Sequence, residues 1–371
     1  MSVAIVIDDV FISQPNFSQA WNFEYKATVR QSEKGEGFNG SVLPIYNSDA
    51  SLRYRFVGLS TAFFGSTPPP EESPIFTING VNHSFPKART RGQWYITPES
   101  ESSNTFEFKL GSDLGSLNVD YLLLTVANGT LLTGETIMVD DSDALEIQWN
   151  GSWEEQPTNF TIPAEEEIPP MIVFAHGNGT HVTSTAGASF TFQFAGSSAT
   201  IAGFSPPLTE HSSFLAFQTI VDGVGDTQNL SFQALGVGST DDQAPPTTSF
   251  FPTPHFVYYQ TKTPLDPGKH NITFVLLEAG GGATVKIDYL TYTPSFRTIM
   301  DKPVFSSTSI TNSSEDPIPN GESSPGPSSK SPNLGAIVGG VVGGVVFCAM
   351  LVFGFVDVAE KSVKRTLSEC L

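Results

Sequence analysis

The chain has 371 residues, a formal net charge of −20 and only 15% charged residues. Its acidity disfavours nucleic-acid binding, because a phosphate backbone would be repelled. Both cysteines, Cys348 and Cys370, lie near the C-terminal end, so no disulfide staples the remainder, whose folded units need hydrophobic cores of their own. The length predicts two or three structural units. The high content of Phe, Gly and Pro favours short strands separated by turns, so we expect an all-β protein.

The N-terminal stretch MSVAIVIDDVFIS has no basic segment, and its apolar run is too short for a signal peptide. Two explanations remain open: a leader is missing from this sequence, or a C-terminal tail anchor leaves the domains in the cytosol. N-glycosylation sequons favour the first explanation, because all of them precede the C-terminal apolar segment, on the side that would face the lumenal glycosylation machinery. They begin at Asn16, Asn39, Asn82, Asn128, Asn150, Asn159, Asn178, Asn229, Asn271 and Asn312.

Five sequence blocks recur in the same order, which predicts tandem modules over residues 1–127 (module one) and 134–296 (module two). AIVIDDVFISQPNFSQAW matches TIMVDDSDALEIQWNGSW, with 12 residues from the second Asp to the last Trp in both. The other pairs are ASLRYRFVG with ASFTFQFAG, FTINGV with TIVDGV, YITPESESSNTFEFKL with TPLDPGKHNITFVLLE, and LNVDYLLLT with VKIDYLTYT. The alternation of polar and apolar residues and the NG and DG turns predict a jelly-roll β-sandwich for each module.

The opening stretch of module two, VDDSDALEIQWNGSW, combines three carboxylates with two tryptophans. Asp140, Asp141 and Asp143 are the candidate metal ligands, since Ca²⁺ takes oxygen ligands from Asp side chains and carbonyls. However, neighbouring residues of a strand point to opposite faces, and module one has no counterpart of Asp143. We therefore favour a strand entry with turn-capping Asp residues and predict no cofactor, with a structural Ca²⁺ as the weaker alternative.

Trp149 and Trp153 lie four residues apart, in phase with Ile147 on one face of an extended strand. Such a row can stack on sugar rings, but it is more often part of a core face. Asn150 carries a sequon and should face solvent. We therefore expect the two tryptophans to be buried.

The segment from Leu235 to Gln260 is the longest insertion that separates module two from module one. Long loops on a rigid sandwich are frequent binding sites. Its candidate ligand-binding residues are Phe250, Phe251, His255, Tyr258 and Tyr259. The alternative is an insertion flanked by strands that packs its own aromatic residues inward.

No motif in the chain predicts catalysis. His176 and His181 have no Cys, Asp or Glu at the spacing of a metal site, and the acidic run PAEEEIPP suits a solvated loop. A glycosidase needs two carboxylates about 5–10 Å apart, and the sequence nominates no such pair. No GxSxG elbow, P-loop or dinucleotide fingerprint is present. We expect the protein not to be an enzyme.

The C-terminal part predicts a membrane anchor. Residues 297–333 are rich in Ser, Pro and Gly and are expected to form a disordered stalk. Residues 334–356 are uncharged and long enough to cross a hydrocarbon core of about 30 Å as one helix. Basic residues within 357–371 place this short tail in the cytosol. Glycines at four-residue spacing would allow two such helices to pack as a homodimer: Gly335, Gly339, Gly340, Gly343 and Gly344.

The motifs VDDSDALEIQWNGSW, HVTSTAGASFTFQFAG, IVDGV, PGKHNITFVLL and VKIDYLTYTP, followed by a Pro/Ser stalk and GAIVGGVVGGVV, resemble a group of basidiomycete fungal surface proteins. The members of that group are largely uncharacterised single-pass membrane proteins with tandem galactose-binding-like jelly-roll modules. The resemblance implies this fold and topology, a structural Ca²⁺ near the first strand as an option, and binding of glycans by analogy.

Three functional hypotheses follow. The first is a non-enzymatic protein of the plasma membrane or another secretory-pathway membrane, with extracellular or lumenal modules that bind glycans or a cell-wall polymer. The second is a surface sensor or adhesin that dimerises through its Gly-rich helix. The third is a carbohydrate-active enzyme with an unrecognised site.

Overall fold

In a computed structural model of the chain, the residues described are 3–8, 22–25, 30–31, 38–45, 51–68, 75–78, 81–99, 103–110, 117–163, 170–206, 212–232 and 252–305. Residues 1–307 belong to one compact unit, and residues 308–371 lie outside the described residues. Residues 297–305 of the predicted stalk are described and are ordered, with Ile299 buried and Phe305 packed against the core. The rest of the stalk, the membrane span with its glycines, and the tail lie outside the described residues.

The described residues form strands and short 3-10 turns and contain no α-helix, which confirms the all-β prediction. The strands of module one are β1 Val3–Asp8, β2 Asn22–Tyr25, β3 Arg30–Gln31, β4 Ser41–Ile45, β5 Ser51–Val57, β6 Ser60–Ser66, β7 Ile75–Ile78, β8 Val81–Ser84, β9 Thr90–Ile96, β10 Ser103–Leu110 and β11 Leu117–Val126. Those of module two are β12 Thr136–Asp140, β13 Ile147–Asn150, β14 Glu154–Gln156, β15 Asn159–Ile162, β16 Met171–Phe174, β17 Thr180–Thr183, β18 Ser189–Phe204, β19 Ser213–Val221, β20 Val224–Phe232, β21 Phe256–Gln260, β22 Gly268–Gly280 and β23 Val285–Pro294. The 3-10 turns are Phe38–Gly40, His176–Asn178 and Ile299–Asp301.

Strand β18 shows why these segments form sheets with a buried face. Phe190, Phe192 and Phe194 are fully buried, whereas Thr191 and Gln193 between them are only partly buried. A side-chain period of two places the three rings on one face. Burial of such an aromatic row contributes roughly 2 kcal/mol or more per ring and fixes the strand register.

Eighteen strands belong to one continuous sheet, and β2, β5, β10, β7 and β8 form a second sheet. The large sheet runs through both modules. Strand β1 pairs with β12 in antiparallel fashion, with Ile5 opposite Ile137, and β16 pairs with β9 in parallel, with Ile172 opposite Thr90. The two modules therefore share backbone hydrogen bonds.

The duplicated blocks occupy matching places in this sheet. In module one, β6 pairs with β11. In module two, the second half of β18 pairs with β23 in the same way, and both pairs contain a bulge. The bulge residues are Asp120 and Asp288, each next to a glycine of the partner strand, Gly65 or Gly203. A Cβ atom on either glycine would overlap a backbone carbonyl oxygen of the bulged strand. The close approach explains why both positions carry glycine.

Within the described part of the chain, no helix has the length and apolar character that crossing a membrane would require.

Candidate functional site

A cleft lies where the two modules meet, and we call it the junction cleft. It is lined by Phe64, Gly65, Arg91, Gly92, Asp120 and Tyr121 of module one and by Val173, Phe174, His176, Pro254, His255 and Asp288 of module two. Its volume between atoms is about 330 Å³, open solvent at the mouth included, and its interior admits only water-sized groups. The lining combines carboxylates, imidazoles and a guanidinium with aromatic rings, a mixture common in sites for polar ligands.

The two bulges bring Asp120 and Asp288 into the cleft. Both carboxylates are almost fully buried, with exposed fractions of 3% and 2%. Each accepts a hydrogen bond from the first backbone N–H of a 3-10 turn, Phe38 for Asp120 and His176 for Asp288. Since the bulge, the glycine and the turn recur together, the two modules contribute equivalent halves of the site.

Asp120 has both carboxylate oxygens paired. The Phe38 N–H lies 2.6 Å from Oδ1, and Nε2 of His255 lies 3.3 Å from Oδ2. Nδ1 of His255 is 2.9 Å from the hydroxyl of Tyr289, so this imidazole connects an acid of module one with a phenol of module two. His255 has a φ of 57°, an uncommon value for a residue with a side chain. Such strain persists where surrounding contacts fix the residue, as they do here.

Asp288 has one unpaired carboxylate oxygen, Oδ1, which is buried. Burial raises the pKa of this carboxyl well above its usual range, and the charges of Asp141 and Asp140 raise it further, against the hydrogen bond from His176. Nδ1 of His176 is also buried without a partner, while Nε2 faces Oδ2 of Asp140 at 3.6 Å. Burial lowers the pKa of His176, so its imidazole is neutral near neutral pH. The module-two half of the cleft therefore holds two unsatisfied polar atoms.

Aromatic rings surround these polar groups. Phe64 stacks on Tyr121 with ring centroids 4.5 Å apart, and Phe38 lies against Tyr121, Tyr289 and His255. Burial raises the pKa of both tyrosines well above the usual range, and nearby carboxylates add to the shift. Both phenols therefore keep their protons and remain hydrogen-bond donors.

The three candidate metal ligands of the opening stretch point in different directions. Oδ1 of Asp140 accepts hydrogen bonds from Ser142, and Oδ1 of Asp143 accepts the Leu145 N–H at 2.8 Å. Oδ2 of Asp141 lies 2.6 Å from Nδ1 of His181. The described residues contain no group of three or more His, Cys, Asp or Glu side chains placed to hold a metal ion. Asp140 and Asp143 act as turn caps, the role that the sequence favoured.

Trp149 and Trp153 are half-buried and pack against the core rather than forming an open platform. Their ring centroids lie 4.7 Å apart, and both contact Phe190. Trp149 also stacks on His181 at 3.9 Å, almost parallel to it. Each indole N–H donates to a backbone carbonyl, of Asp141 for Trp149 and of Ser189 for Trp153.

The candidate residues of the insertion separate into three groups. Phe250 and Phe251 lie outside the described residues. His255 lines the junction cleft. Tyr258 and Tyr259 belong to β21 and are buried in the core, with exposed fractions of 1% and 8%. These two tyrosines pack inward, as in the alternative interpretation of the insertion.

Eight of the predicted glycosylation acceptors fall within the described residues, and all eight are exposed: Asn39, Asn82, Asn128, Asn150, Asn159, Asn178, Asn229 and Asn271. Asn16 and Asn312 lie outside them. Asn39 also donates from Nδ2 to Oδ2 of Asp8 at 2.7 Å. Glycosylation of these sites stays a prediction.

Sequence reasoning missed Asp120, Asp288 and Arg91. A signal for the two acids existed, because Asp is the only charged residue shared by the paired final strands LNVDYLLLT and VKIDYLTYT. A charged residue inside an apolar strand is rarely buried without a partner or a role. Nothing in the sequence indicated that the two strands meet at one cleft.

Comparisons with known proteins identify no family. No protein-family model and no curated protein matches the chain. Solved structures that resemble it include a xanthan lyase from Paenibacillus (13% identity, TM-score 0.27, covering 76% of this chain and 26% of that one). Others are the CBM36-1 domain of a multidomain xylanase from the hindgut metagenome of Trinervitermes trinervoides (11%, 0.23, 42% and 94%) and the ANXUR2 extracellular domain from Arabidopsis thaliana (9%, 0.26, 78% and 95%).

Carbohydrate-binding and carbohydrate-active proteins are thus among the structural neighbours. The chain spans only about a quarter of the xanthan lyase, at 26% of its length. TM-scores of 0.23 to 0.27 are too low to transfer a property from any of these proteins. The fold and the cleft define an all-β protein with a buried polar site shared by two repeats.

Proposed function

We propose that the protein is a non-enzymatic carbohydrate-binding protein of a cell surface and that the junction cleft is its binding site. One observation carries the proposal: Oδ1 of Asp288 and Nδ1 of His176 are both buried at the cleft without a hydrogen-bond partner. A buried polar atom left unpaired costs about 1–3 kcal/mol, so a ligand that satisfies both atoms gains affinity. Carbohydrates present polar hydrogen-bonding groups on a compact ring.

The size of the cleft determines how a sugar would enter. Since the interior admits water-sized groups, one substituent of the ring fills it while the ring stays at the mouth. Phe174, which is half-buried, lines the cleft and is available to contact the ring there.

The proposal does not include catalysis, and the pairing of the acids in the cleft supports it. A glycosidase needs two carboxylates that can act on the substrate. Both oxygens of Asp120 are already paired, with Phe38 and His255, which leaves Asp288 as the acid with an unpaired oxygen in the cleft. The alternatives, a dimerising sensor or adhesin and a carbohydrate-active enzyme, become outcomes of the tests.

We further propose that the chain forms two tandem jelly-roll modules on a stalk, anchored by one transmembrane helix with the modules outside the cytosol. Support comes from the duplicated bulges and from the exposure of all eight described sequon asparagines. The full-length chain, expressed with a secretory leader, should show a mass shift that an endoglycosidase removes. An unshifted band would support the tail-anchored alternative instead.

A glycan array tests the binding function. The full-length chain in detergent should bind a restricted set of glycans, and Asp288→Ala should reduce that binding at least tenfold. Asp226→Ala, which removes a carboxylate that pairs with exposed Lys262 away from the cleft, should leave binding unchanged. Absence of binding to every glycan would overturn the proposal, and hydrolysis of a bound glycan would overturn its non-enzymatic part.

A further inference from the structure

The two halves of the junction cleft are built alike but are filled differently. In the module-one half, Asp120 receives a backbone N–H and has the His255 imidazole against its second oxygen. In the module-two half, Asp288 receives the equivalent backbone N–H, and Oδ1 has no partner. Comparison with the module-one half shows what the module-two half lacks. It lacks a hydrogen-bond donor in the position that His255 occupies beside Asp120.

No side chain of the cleft supplies that donor. Gly92 pairs with Gly65 in module one, and Phe256 pairs with Gly203 in module two. The residues that precede them, Arg91 and His255, therefore occupy equivalent positions. The charge of Arg91 acts on Tyr121, whereas the charges that act on Asp288 are those of Asp141 and Asp140. Among the described residues this donor is therefore missing, and a ligand can supply it.

Charge and hydrogen-bonding capacity both favour a cationic donor. The carboxylate of Asp140 lies 3.6 Å from Nε2 of His176, so we assign the ring proton to Nε2, and Nδ1 is then an acceptor. Once the Asp288 carboxyl is ionised, the two unpaired atoms, Oδ1 of Asp288 and Nδ1 of His176, both require donors. A hydroxyl has one donor hydrogen, whereas an ammonium group has three and no acceptor. An ammonium group is also close to water in size, as the interior requires.

We propose that the junction cleft binds a sugar through a protonated amino group, so that its ligand is an amino sugar whose amine is not acetylated. This inference rests on the proposed carbohydrate-binding function and adds the ligand class to it. The ammonium group donates to Oδ1 of Asp288 and to Nδ1 of His176 and lies near the carboxylate of Asp140. The net charge of −20 adds a long-range attraction for such a cation.

Binding of the cation is expected to release a proton. Asp288 accepts the backbone N–H of His176, and the carboxylates of Asp140 and Asp141 and the phenols of Tyr121 and Tyr289 lie close enough to interact with its charge. Burial and the two neighbouring acids hold its pKa well above the usual range, so the free protein keeps the carboxyl protonated above its ordinary titration range. An ammonium group at Oδ1 favours the ionised carboxylate, and the displaced proton passes to the buffer.

Isothermal titration calorimetry with the full-length chain tests the inference. The probes are the glucosamine trisaccharide, its N-acetylated counterpart and an uncharged glucose trisaccharide of the same linkage. The glucosamine trisaccharide should bind at least tenfold more tightly than the other two. Its apparent enthalpy should differ between buffers of different ionisation enthalpy, as proton release requires.

Two variants separate the cleft from general charge attraction. Asp288→Asn should abolish the tenfold preference, because a neutral amide cannot pair with the cation. Asp226→Asn removes an exposed carboxylate elsewhere and should keep the preference. Equal losses in both variants would show non-specific attraction and overturn the inference. Equal affinity of the wild type for all three probes would overturn it too, while leaving carbohydrate binding intact. Absence of binding to the probes and to the whole glycan array would overturn the proposed function itself.

Discussion

Asp120 and Asp288 occupy the same place in two copies of one strand, yet only Asp120 has both carboxylate oxygens paired. The difference lies in what the opposite module contributes. Module two supplies His255 to Asp120, whereas no charge among the described residues of module one offsets the burial of Asp288. A duplicated fold has in this way become asymmetric at the surface where its copies meet. The unpaired copy is the part of the site that a ligand can complete.

The bulge geometry predicts a severe effect of Gly203→Ala. A Cβ atom there would overlap the carbonyl oxygen of Lys286 and lie 2.9 Å from its carbon, and a backbone neighbour cannot turn away as a side chain can. We expect a loss of about 3 kcal/mol in the free energy of unfolding, measured by chemical denaturation. Gly129→Ala is the matched control, because nothing lies within 4 Å of its Cβ position, and it should change stability by less than about 0.5 kcal/mol. Equal stabilities of the two variants would show that the bulge is not held by this contact.

Tyr258→Phe tests whether Tyr258 is a structural residue. Its hydroxyl donates to the carbonyl of Phe204 at 2.6 Å and accepts the N–H of Lys286 at 3.1 Å. Removing the hydroxyl leaves two buried backbone groups without this partner, so we expect a loss of about 1–3 kcal/mol by thermal or chemical unfolding. Glycan binding per folded molecule should not change. A selective loss of binding with unchanged stability would instead assign Tyr258 to the ligand-binding site.

Much of the fold could be predicted from the sequence because the alternation of apolar and polar residues along a strand is a local pattern. Alternation in SFTFQFAG predicts one buried face, and Phe190, Phe192 and Phe194 are fully buried as that pattern requires. Asp140 and Asp141 face different histidines, His176 and His181, as expected for neighbouring residues whose side chains point to opposite sides.

The junction cleft could not be predicted in this way, because it depends on pairing between modules. Strand β1 meets β12, and β9 meets β16, through contacts over long sequence separations that no local pattern encodes. The role of His255 likewise depends on Asp120, which lies 135 positions away in the chain. Sequence reasoning chose His255 for its place in a long insertion, while Tyr258 and Tyr259, chosen on the same ground, are core residues.

The pair His270 and Asp222 predicts a pH dependence of stability. Burial alone would lower the pKa of His270, but hydrogen bonds to the Asp222 carboxylate at 2.6 Å and to the Asp266 carbonyl at 2.7 Å outweigh it and raise the pKa. A raised histidine pKa stabilises the folded state fully below the ordinary value of 6.5, and this stabilisation is lost as the pH rises through the folded value. The melting temperature should therefore fall from about pH 6.5 upward.

Asp222→Asn is the conservative control for this titration. Asp222 has a φ of 49°, which Asn tolerates, and an amide oxygen can still accept the N–H of Asn271. The variant should bring the His270 pKa, followed by NMR of the imidazole protons, down from its raised value and flatten the pH dependence of the melting temperature. An unchanged His270 titration would show that Asp222 does not set it.

The buried ion pair of Lys302 with Glu146 predicts a large electrostatic effect on stability. The two side chains are 5% and 4% exposed, Lys302 pairs with Oε1 of Glu146, and Oε2 has no hydrogen-bond partner among the described residues. Burial already raises the pKa of Glu146 against the opposing charge of Lys302. Lys302→Met leaves an uncompensated buried carboxylate and should cost about 3–5 kcal/mol at neutral pH. The loss should shrink as the pH falls through the raised pKa of Glu146, because protonation removes the buried charge.

The double variant Lys302→Met with Glu146→Gln distinguishes charge from packing. It removes both members of the pair, so most of the stability lost in Lys302→Met should return. Urea unfolding of the wild type, both single variants and the double variant gives the coupling energy directly. Additive losses would assign the effect to the packing of the Lys302 stem, since a buried charge pair requires the two substitutions to compensate each other.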